Sequence, residues 1–422
     1  MAYKLTYGAR MKTGLFLTIF LLLFYTDGVA QHYPPAHGGN SVDSTSKKLS
    51  QYDIVDLYRQ IVGKPSRGAF DSSKIKKNKI YTSFIPAIGY TVQTTFTAVA
   101  TVNLSFYLDD RKNSNISTIY GSANFSLLKQ IVIPVITNIW SKNNDFDFLG
   151  DYRYYVYPST TYGLGGHTTL ADADPIDYKY IRFYQVVARE LFPDFLAGIG
   201  YNLDYHYAIR ETNVKPGEVT DFEEYDGGKI AGTTVSSGLS FNLLYDTRRN
   251  SNNPQGGWYA NVSFRPNLIY LGSDDNWQSL YIEFRKYIKF PQNSHNVLAF
   301  WNFNWFTFGH TPYLDLPATA WETYANSARG YVQDRFKSPS MLYLESEYRF
   351  QILDNGFMGG VVFANAQSPS NWPGNTFNTI YPGVGAGLRF KINKFSNTNA
   401  CIDYGVGLNG SRAFYLNLGE VF

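Results

Sequence analysis

The chain has 422 residues, a formal charge of +3 and 17% charged residues, a balance that excludes both a basic nucleic-acid-binding surface and wholesale disorder. Aromatic residues make up 17%, with 35 Tyr and 31 Phe against 4 Met, a composition that favours strands. The single cysteine, Cys401, excludes an intrachain disulfide framework and any multi-cysteine metal site.

The first element reads as an export signal, residues 1–30. Met11 and Lys12 precede the apolar core GLFLTIFLLLFY, and TDGVAQ supplies Gly28 and Ala30 for cleavage before Gln31. Met11 is an alternative start to Met1. The apolar run falls short of the ~20 residues a spanning helix needs, and no other unbroken apolar run reaches that length. The mature chain is therefore either secreted and soluble or held in an outer membrane as a barrel. Residues 31–79 follow as a flexible periplasmic lead, Pro/Gly/Ser-rich to about residue 50. Within it, SQYDIVDLYRQIVGK predicts one short helix over about 50–63, with Ser50 as N-cap and Gly63 as stop. Ile54, Leu57, Tyr58 and Ile61 form its apolar stripe, expected to pack under or inside the larger domain.

From residue 80 to 422 the pattern is strands only. In SMLYLESEYRFQI, Leu342, Leu344, Tyr348, Phe350 and Ile352 share one face, and Glu345, Glu347, Arg349 and Gln351 the other. PGVGAGLRFKI sets Val384, Ala386, Leu388 and Phe390 against Gly383, Gly385, Gly387, Arg389 and Lys391. Turn signals divide the segment into roughly sixteen strands of ~10 to 15 residues, the expected fold class being an all-β, transmembrane antiparallel barrel. Tight turns (ELFPD, FPQNS, LDNG, NKFSN) alternate with long connections at 158–176, 210–231, 309–339 and 367–378, as short periplasmic turns and long outer loops would. The chain finishes FYLNLGEVF, predicted to be the barrel-closing strand with Phe414, Leu416, Leu418 and Phe422 on one side. Trp258, Trp301 and Trp305 suit interfacial girdles. A soluble sandwich or propeller is the alternative, but the 40–50-residue repeat of a propeller is not found.

Three segments resemble the BamA/TamA family of outer-membrane assembly barrels, which includes the transporters of two-partner secretion. YDTRRNSNNPQGGWY (245–259) is similar to its periplasmic turn motif, through Asp246, Arg248, Pro254 and Gly256. ARGYVQDRF followed by LESEYRF is similar to its Arg-Gly-aromatic loop tip and the strand after it. GVGAGLRFKI, CIDYGVGL and YLNLGEVF are similar to its last three strands. The resemblance implies that the connection 309–339, between strands eleven and twelve, is the sixth outer loop and folds back into the lumen. Arg329 would pair with acidic residues of the wall, Glu347 first, with Glu345 and Asp403 also facing inward. Gly330 would allow a tight turn and Tyr331 would wedge against the wall, while the glycines at 383, 385, 387, 405 and 407 would leave room for the tip. Where the family has an Asp, this chain has Asn365, which supplies no charge and implies a weaker lock. Residues 31–79 are too few for a complete POTRA module and lack its strand pattern, which implies a barrel-only member.

Other candidates favour structural roles. Glu345 and Glu347 stand roughly 6 to 7 Å apart by strand rise, a separation that suits a salt bridge better than paired-carboxylate chemistry. Thr234–Gly238 (TVSSG) departs from a nucleophile elbow. Asp172, Asp174 and Asp177 have cation-loop spacing without the EF-hand Gly and Glu. His167, His206, His295 and His310 have no metal-ligand spacing. No catalytic residue, metal or cofactor is expected. The resemblance implies insertion or translocation of proteins at a Gram-negative outer membrane, in contact with its lipid. Its expected partners are client chains and a POTRA-bearing partner or periplasmic chaperone. A passive pore, or an accessory subunit of a larger complex, is the alternative.

Overall fold

In the computed structural model the described residues are 51–66, 79–91, 94–109, 114–212, 214, 217, 219–225, 232–321, 327–394 and 396–422. The segment expected to be a signal peptide, the polar stretch to residue 50 and the expected Ser50 cap lie outside them.

Sixteen antiparallel strands follow one another as a meander. They are β1 (Tyr81–Thr91), β2 (Thr95–Phe106), β3 (Ser117–Ser126), β4 (Ile131–Trp140), β5 (Asp147–Thr161), β6 (Asp174–Phe192), β7 (Phe195–Glu211) and β8 (Thr233–Asp246). The second half comprises β9 (Gly257–Asn267), β10 (Trp277–Lys289), β11 (Val297–Gly309), β12 (Ser340–Gln351), β13 (Met358–Pro369), β14 (Tyr381–Asn393), β15 (Thr398–Gly407) and β16 (Arg412–Leu418). Each strand pairs with its sequence neighbours, and β1 also lies beside β16. That last junction is thin: β1 and β2 align from Tyr81↔Ser105 to Thr91↔Thr95, whereas among the described residues β1 and β16 align only at Thr91↔Tyr415. Among the described residues no helix is long and apolar enough to cross a membrane.

Burial is inverted relative to a water-soluble sheet. On β12 the apolar Leu344 is 55% exposed while Glu345 and Glu347 are 1% and 0% exposed. On β14, Val384 and Leu388 point out and Arg389 is buried. Period-two alternation assigns every other side chain to each face, so the polar residues converge on a shared interior. Trp258 stands on the outer face, with the Lys286 ammonium 3.9 Å from its ring centre. Trp301 and Trp305 do not belong to an outer girdle. Both turn inward, on the face of β11 that also carries Val297, Ala299 and Phe303, and their indole N–H groups donate there to Glu283 (2.8 Å) and Ser279 (2.9 Å).

The short helix α1 (Ile54–Ile61) is shorter than expected and is capped by Asp53, whose carboxylate accepts from the N–H groups of Val55 and Asp56. Asp56 reciprocates toward the Asp53 N–H, forming a capping box. Its apolar stripe does not pack inward. The buried face carries Asp53 and Asp56, which engage the β14–β15 turn through Lys394: its N–H donates to Asp53 (3.0 Å) and its ammonium pairs with Asp56 (2.7 Å). The Tyr52 N–H donates to the Asn355 carbonyl in the β12–β13 turn (3.0 Å). Leu57, Tyr58, Ile61 and Val62 are exposed.

Candidate functional site

The connection between β11 and β12, residues 310–339, turns into the interior. Ala328 at φ 54° and Gly330 at φ 114° reverse the chain on either side of Arg329, whose side chain is fully buried. Its guanidinium reaches three carboxylates. One terminal nitrogen pairs with both Glu345 and Glu347, and the other lies 2.6 Å from Asp403. The flat face of the group sits 3.6 Å from the centre of the Phe363 ring. Strand periodicity supplies this cradle: Glu345 and Glu347 are two apart on β12, and Asp403 projects from β15 into the same interior. A buried guanidinium with several charge-assisted hydrogen bonds is the arrangement that offsets its desolvation.

Further pairs extend the contact into a closed loop of alternating charge. Glu347 binds Arg349 (2.6 Å); Arg349 lies 3.7 Å from Glu420; Glu420 binds Arg389 (2.7 Å); and Arg389 returns to Asp403. Three arginines are thus interleaved with Glu347, Asp403 and Glu420, while Glu345 is added on Arg329 and accepts from the Tyr343 hydroxyl. Asn365 contributes through its amide N–H₂, which donates to the Arg329 carbonyl (2.9 Å), so it holds the backbone of the tip and not the charge.

Tyr331 lies against the wall as expected, its hydroxyl donating to the Pro382 carbonyl (2.7 Å) and accepting from the Leu408 N–H (3.0 Å). The Tyr415 hydroxyl accepts from the Gly330 N–H (3.1 Å) and donates to the Tyr331 carbonyl (2.9 Å). Tyr415 therefore touches the loop tip and is also the residue aligned with Thr91 at the β1–β16 junction. The glycines divide into two groups. A Cβ at Gly405 would come 2.6 Å from the Gly330 nitrogen, one at Gly407 2.5 Å from the Tyr331 ring, and one at Gly383 2.7 Å from the Arg329 carbonyl. Gly385 and Gly387 do not make room for the tip itself. They accommodate Phe363 and Asp403, the side chains that hold Arg329.

The predicted closing strand ends sooner than expected. Phe414 and Leu418 face outward, but Gly419 at φ 89° turns the chain out of the ladder and Phe422 is buried. Phe422 packs 5.2 Å from Trp301, and its carbonyl accepts from Arg349 (2.9 Å). It therefore does not share a face with Phe414, Leu416 and Leu418, because the turn at Gly419 breaks the alternation on which that expectation rests. Arg349, Arg389, Glu420 and Tyr415 are the contributors that sequence reasoning missed.

At the same end of the sheet, Arg248 makes a two-pronged contact with Asp246 (2.9 and 2.8 Å) and stacks on Tyr259. Pro254 is buried beside it in the turn. Gly256 is not the constrained glycine of this motif, since a Cβ there would meet open space. Gly257 is, at φ 104°, with the Thr247 carbonyl 2.8 Å from its Cβ position. The turn reaches across to the β14–β15 turn and the tail: Asn250 donates to the Ser396 carbonyl, Asn253 to that of Asn397, and the Glu420 N–H to that of Asn252.

The remaining candidates are dispersed. Asp172 accepts from the Thr169 N–H and hydroxyl, and Asp177 pairs with Arg210 (2.9 Å). His206 is buried, stacked 4.3 Å from Tyr180, and lies 3.8 Å from Asp315 of the infolded loop. Asp315 forms a second attachment of that loop, accepting from the Ser236 hydroxyl (2.6 Å). Burial, reinforced by the nearby Asp204, pushes its carboxyl up to about 7.

Residues 88–422 match the model of the Omp85 superfamily domain. Among solved structures, BamA from Haemophilus ducreyi lacking POTRA domains 1–3 superposes with a TM-score of 0.56 at 15% identity, covering 82% of this chain and 70% of that one. CdiB from Escherichia coli gives 0.52 at 10% identity (82% and 68%), and CdiB from Acinetobacter baumannii gives 0.51 at 9% (80% and 60%). No curated protein matches the sequence.

Proposed function

Because the chain belongs to the Omp85 superfamily, we propose that it is a closed outer-membrane barrel of a Gram-negative bacterium that assists insertion or translocation of proteins. The observation that carries this reading is the junction of the first and last strands. β16 has seven residues and its continuation turns inward at Gly419, so β1 meets it at one aligned pair. The β1 edge from Thr82 to Tyr90 has no aligned strand on that side among the described residues. An edge of this kind can pair with an incoming strand, main chain to main chain. The infolded loop, anchored through Arg329, is the proposed lock that fills the interior while this edge stays available, which is why a constitutively open pore is the less favoured reading. Client chains, outer-membrane lipid and a POTRA-bearing partner or chaperone supplied in trans are the proposed partners.

Photo-crosslinkers placed singly at Tyr81, Ser83 and Phe414 in the living cell test the proposal. Adducts to newly made outer-membrane or secreted proteins are expected at the β1 positions. A protein that yields no client adducts but conducts ions in planar bilayers would instead be a pore. One that yields none but co-purifies at fixed stoichiometry with another barrel would be an accessory subunit.

A further inference from the structure

α1 is amphipathic in the reverse sense for a helix packed on a protein. Its acids, Asp53 and Asp56, are fully buried against the β14–β15 turn, whereas Leu57, Tyr58, Ile61 and Val62 are 38%, 41%, 69% and 45% exposed. At 100° per residue these four positions form one face, and Asp56 lies opposite. The helix is attached to the two turns that follow β12 and β14, through Asn355 and Lys394. The outward stripe of β12 continues into Ile352 and Leu353, both exposed, and the same turn accepts the Tyr52 N–H at Asn355. The sequence from α1 to β1, residues 64–79, carries Lys64, Arg67, Lys74, Lys76, Lys77 and Lys79 against Asp71 alone, six positive charges to one negative.

We propose that the exposed face of α1 lies in the phospholipid leaflet at the turn end of the barrel, as an interfacial anchor for anionic lipid. This rests on the membrane-spanning reading of the sheet. An apolar helical face followed in sequence by a basic stretch is the composition that binds an anionic bilayer surface, with the apolar side chains entering the acyl boundary. The buried acids explain why the helix is not free to rotate that face inward: Asp56 would leave Lys394, and both carboxylates would enter lipid unpaired.

The test uses the full chain reconstituted in vesicles of phosphatidylethanolamine and phosphatidylglycerol with brominated acyl chains. A thiol-reactive fluorophore is placed at Ile61→Cys, Gln60→Cys or Phe284→Cys, the native Cys401 being buried. Phe284, on the outer face of β10, reports the spanning reading. The expected result is quenching by brominated lipid at position 61 as strong as at position 284. Position 60 should be quenched mainly by aqueous acrylamide. Replacing phosphatidylglycerol with phosphatidylcholine should weaken quenching at 61 and leave 284 unchanged. Quenching at 284 with position 61 open to acrylamide overturns the anchor and leaves the barrel intact. Position 61 shielded from both quenchers means protein covers it, which also overturns the anchor. Loss of lipid quenching at 284 itself overturns the spanning reading, and the anchor with it.

Discussion

Arg329 is held by three carboxylates in a site without water access, so its loss leaves Glu345, Glu347 and Asp403 with fewer counter-charges than they need. Arg329→Ala is expected to cost about 3–5 kcal/mol, the range for breaking a buried ion pair from one side, measured as a lower midpoint of thermal unfolding in detergent. Arg329→Lys should recover only part of this, since an ammonium lacks the planar fork that reaches acids on two strands. Glu347 bridges Arg329 and Arg349, whereas Glu345 has one arginine and a tyrosine. Glu347→Gln should therefore lower the midpoint more than Glu345→Gln, and the reverse order would argue against the ring as the unit that holds the tip. Alternation put Glu345 and Glu347 on one face of their strand, and the resemblance to the BamA/TamA family implied that they and Asp403 face Arg329, which together made this cluster legible. Arg349 and Arg389 were on the same face in the sequence, but spacing does not say which cation completes which carboxylate. That depends on how β12, β14 and β15 curve around the interior.

At the scale of elements, loop 310–339 is attached at several points, among them Tyr313 to Thr161, Thr319 to Gln367 and Asp315 to Ser236, and the attachment at Asp315 carries a pH dependence. The docked Asp315 carboxyl titrates near 7, against an ordinary value of about 4. The docked state therefore holds a proton that the undocked state has lost. This attachment is at full strength below about pH 4 and weakens as pH rises toward 7. Protease sensitivity of the loop in vesicles should rise over that interval, and Asp315→Asn should flatten the rise. The tail is the second element with a predicted effect. Glu420 supplies one of the ring's three carboxylates from outside any strand, so Glu420→Gln should make loop 310–339 more protease-sensitive although the two do not touch in sequence or in the ring. Unchanged cleavage would show that tail and loop are held independently. The tail was not legible, because FYLNLGEVF alternates well and nothing in one sequence marks Gly419 as a left-handed turn. The packing of α1 was misread for a related reason. An apolar stripe normally means a buried face, and only the pairing of Asp53 and Asp56 with a distant turn reverses it.

Across the whole molecule, the strand number and the long connection after β11 were readable because a two-residue period and turn residues repeat along the chain. The thin junction between the ends was not, since pairing between residues 91 and 415 leaves no local trace. If the infolded loop occupies the conduction path, Arg329→Ala should also raise single-channel conductance above that of the parent protein in planar bilayers. The ring has one more implication, for biogenesis. Its members run from position 329 to position 420, so Arg329 finds its own partners only once β15 has supplied Asp403, and the ring closes only when Glu420 joins Arg349 and Arg389. A chain interrupted before β15 would keep Glu345 and Glu347 beside Arg329 but lack Asp403 and Glu420, leaving Arg349 and Arg389 without the acids that link them to the ring. Seating of the loop is thus coupled to the placement of β15, the strand that brings Asp403 to both Arg329 and Arg389.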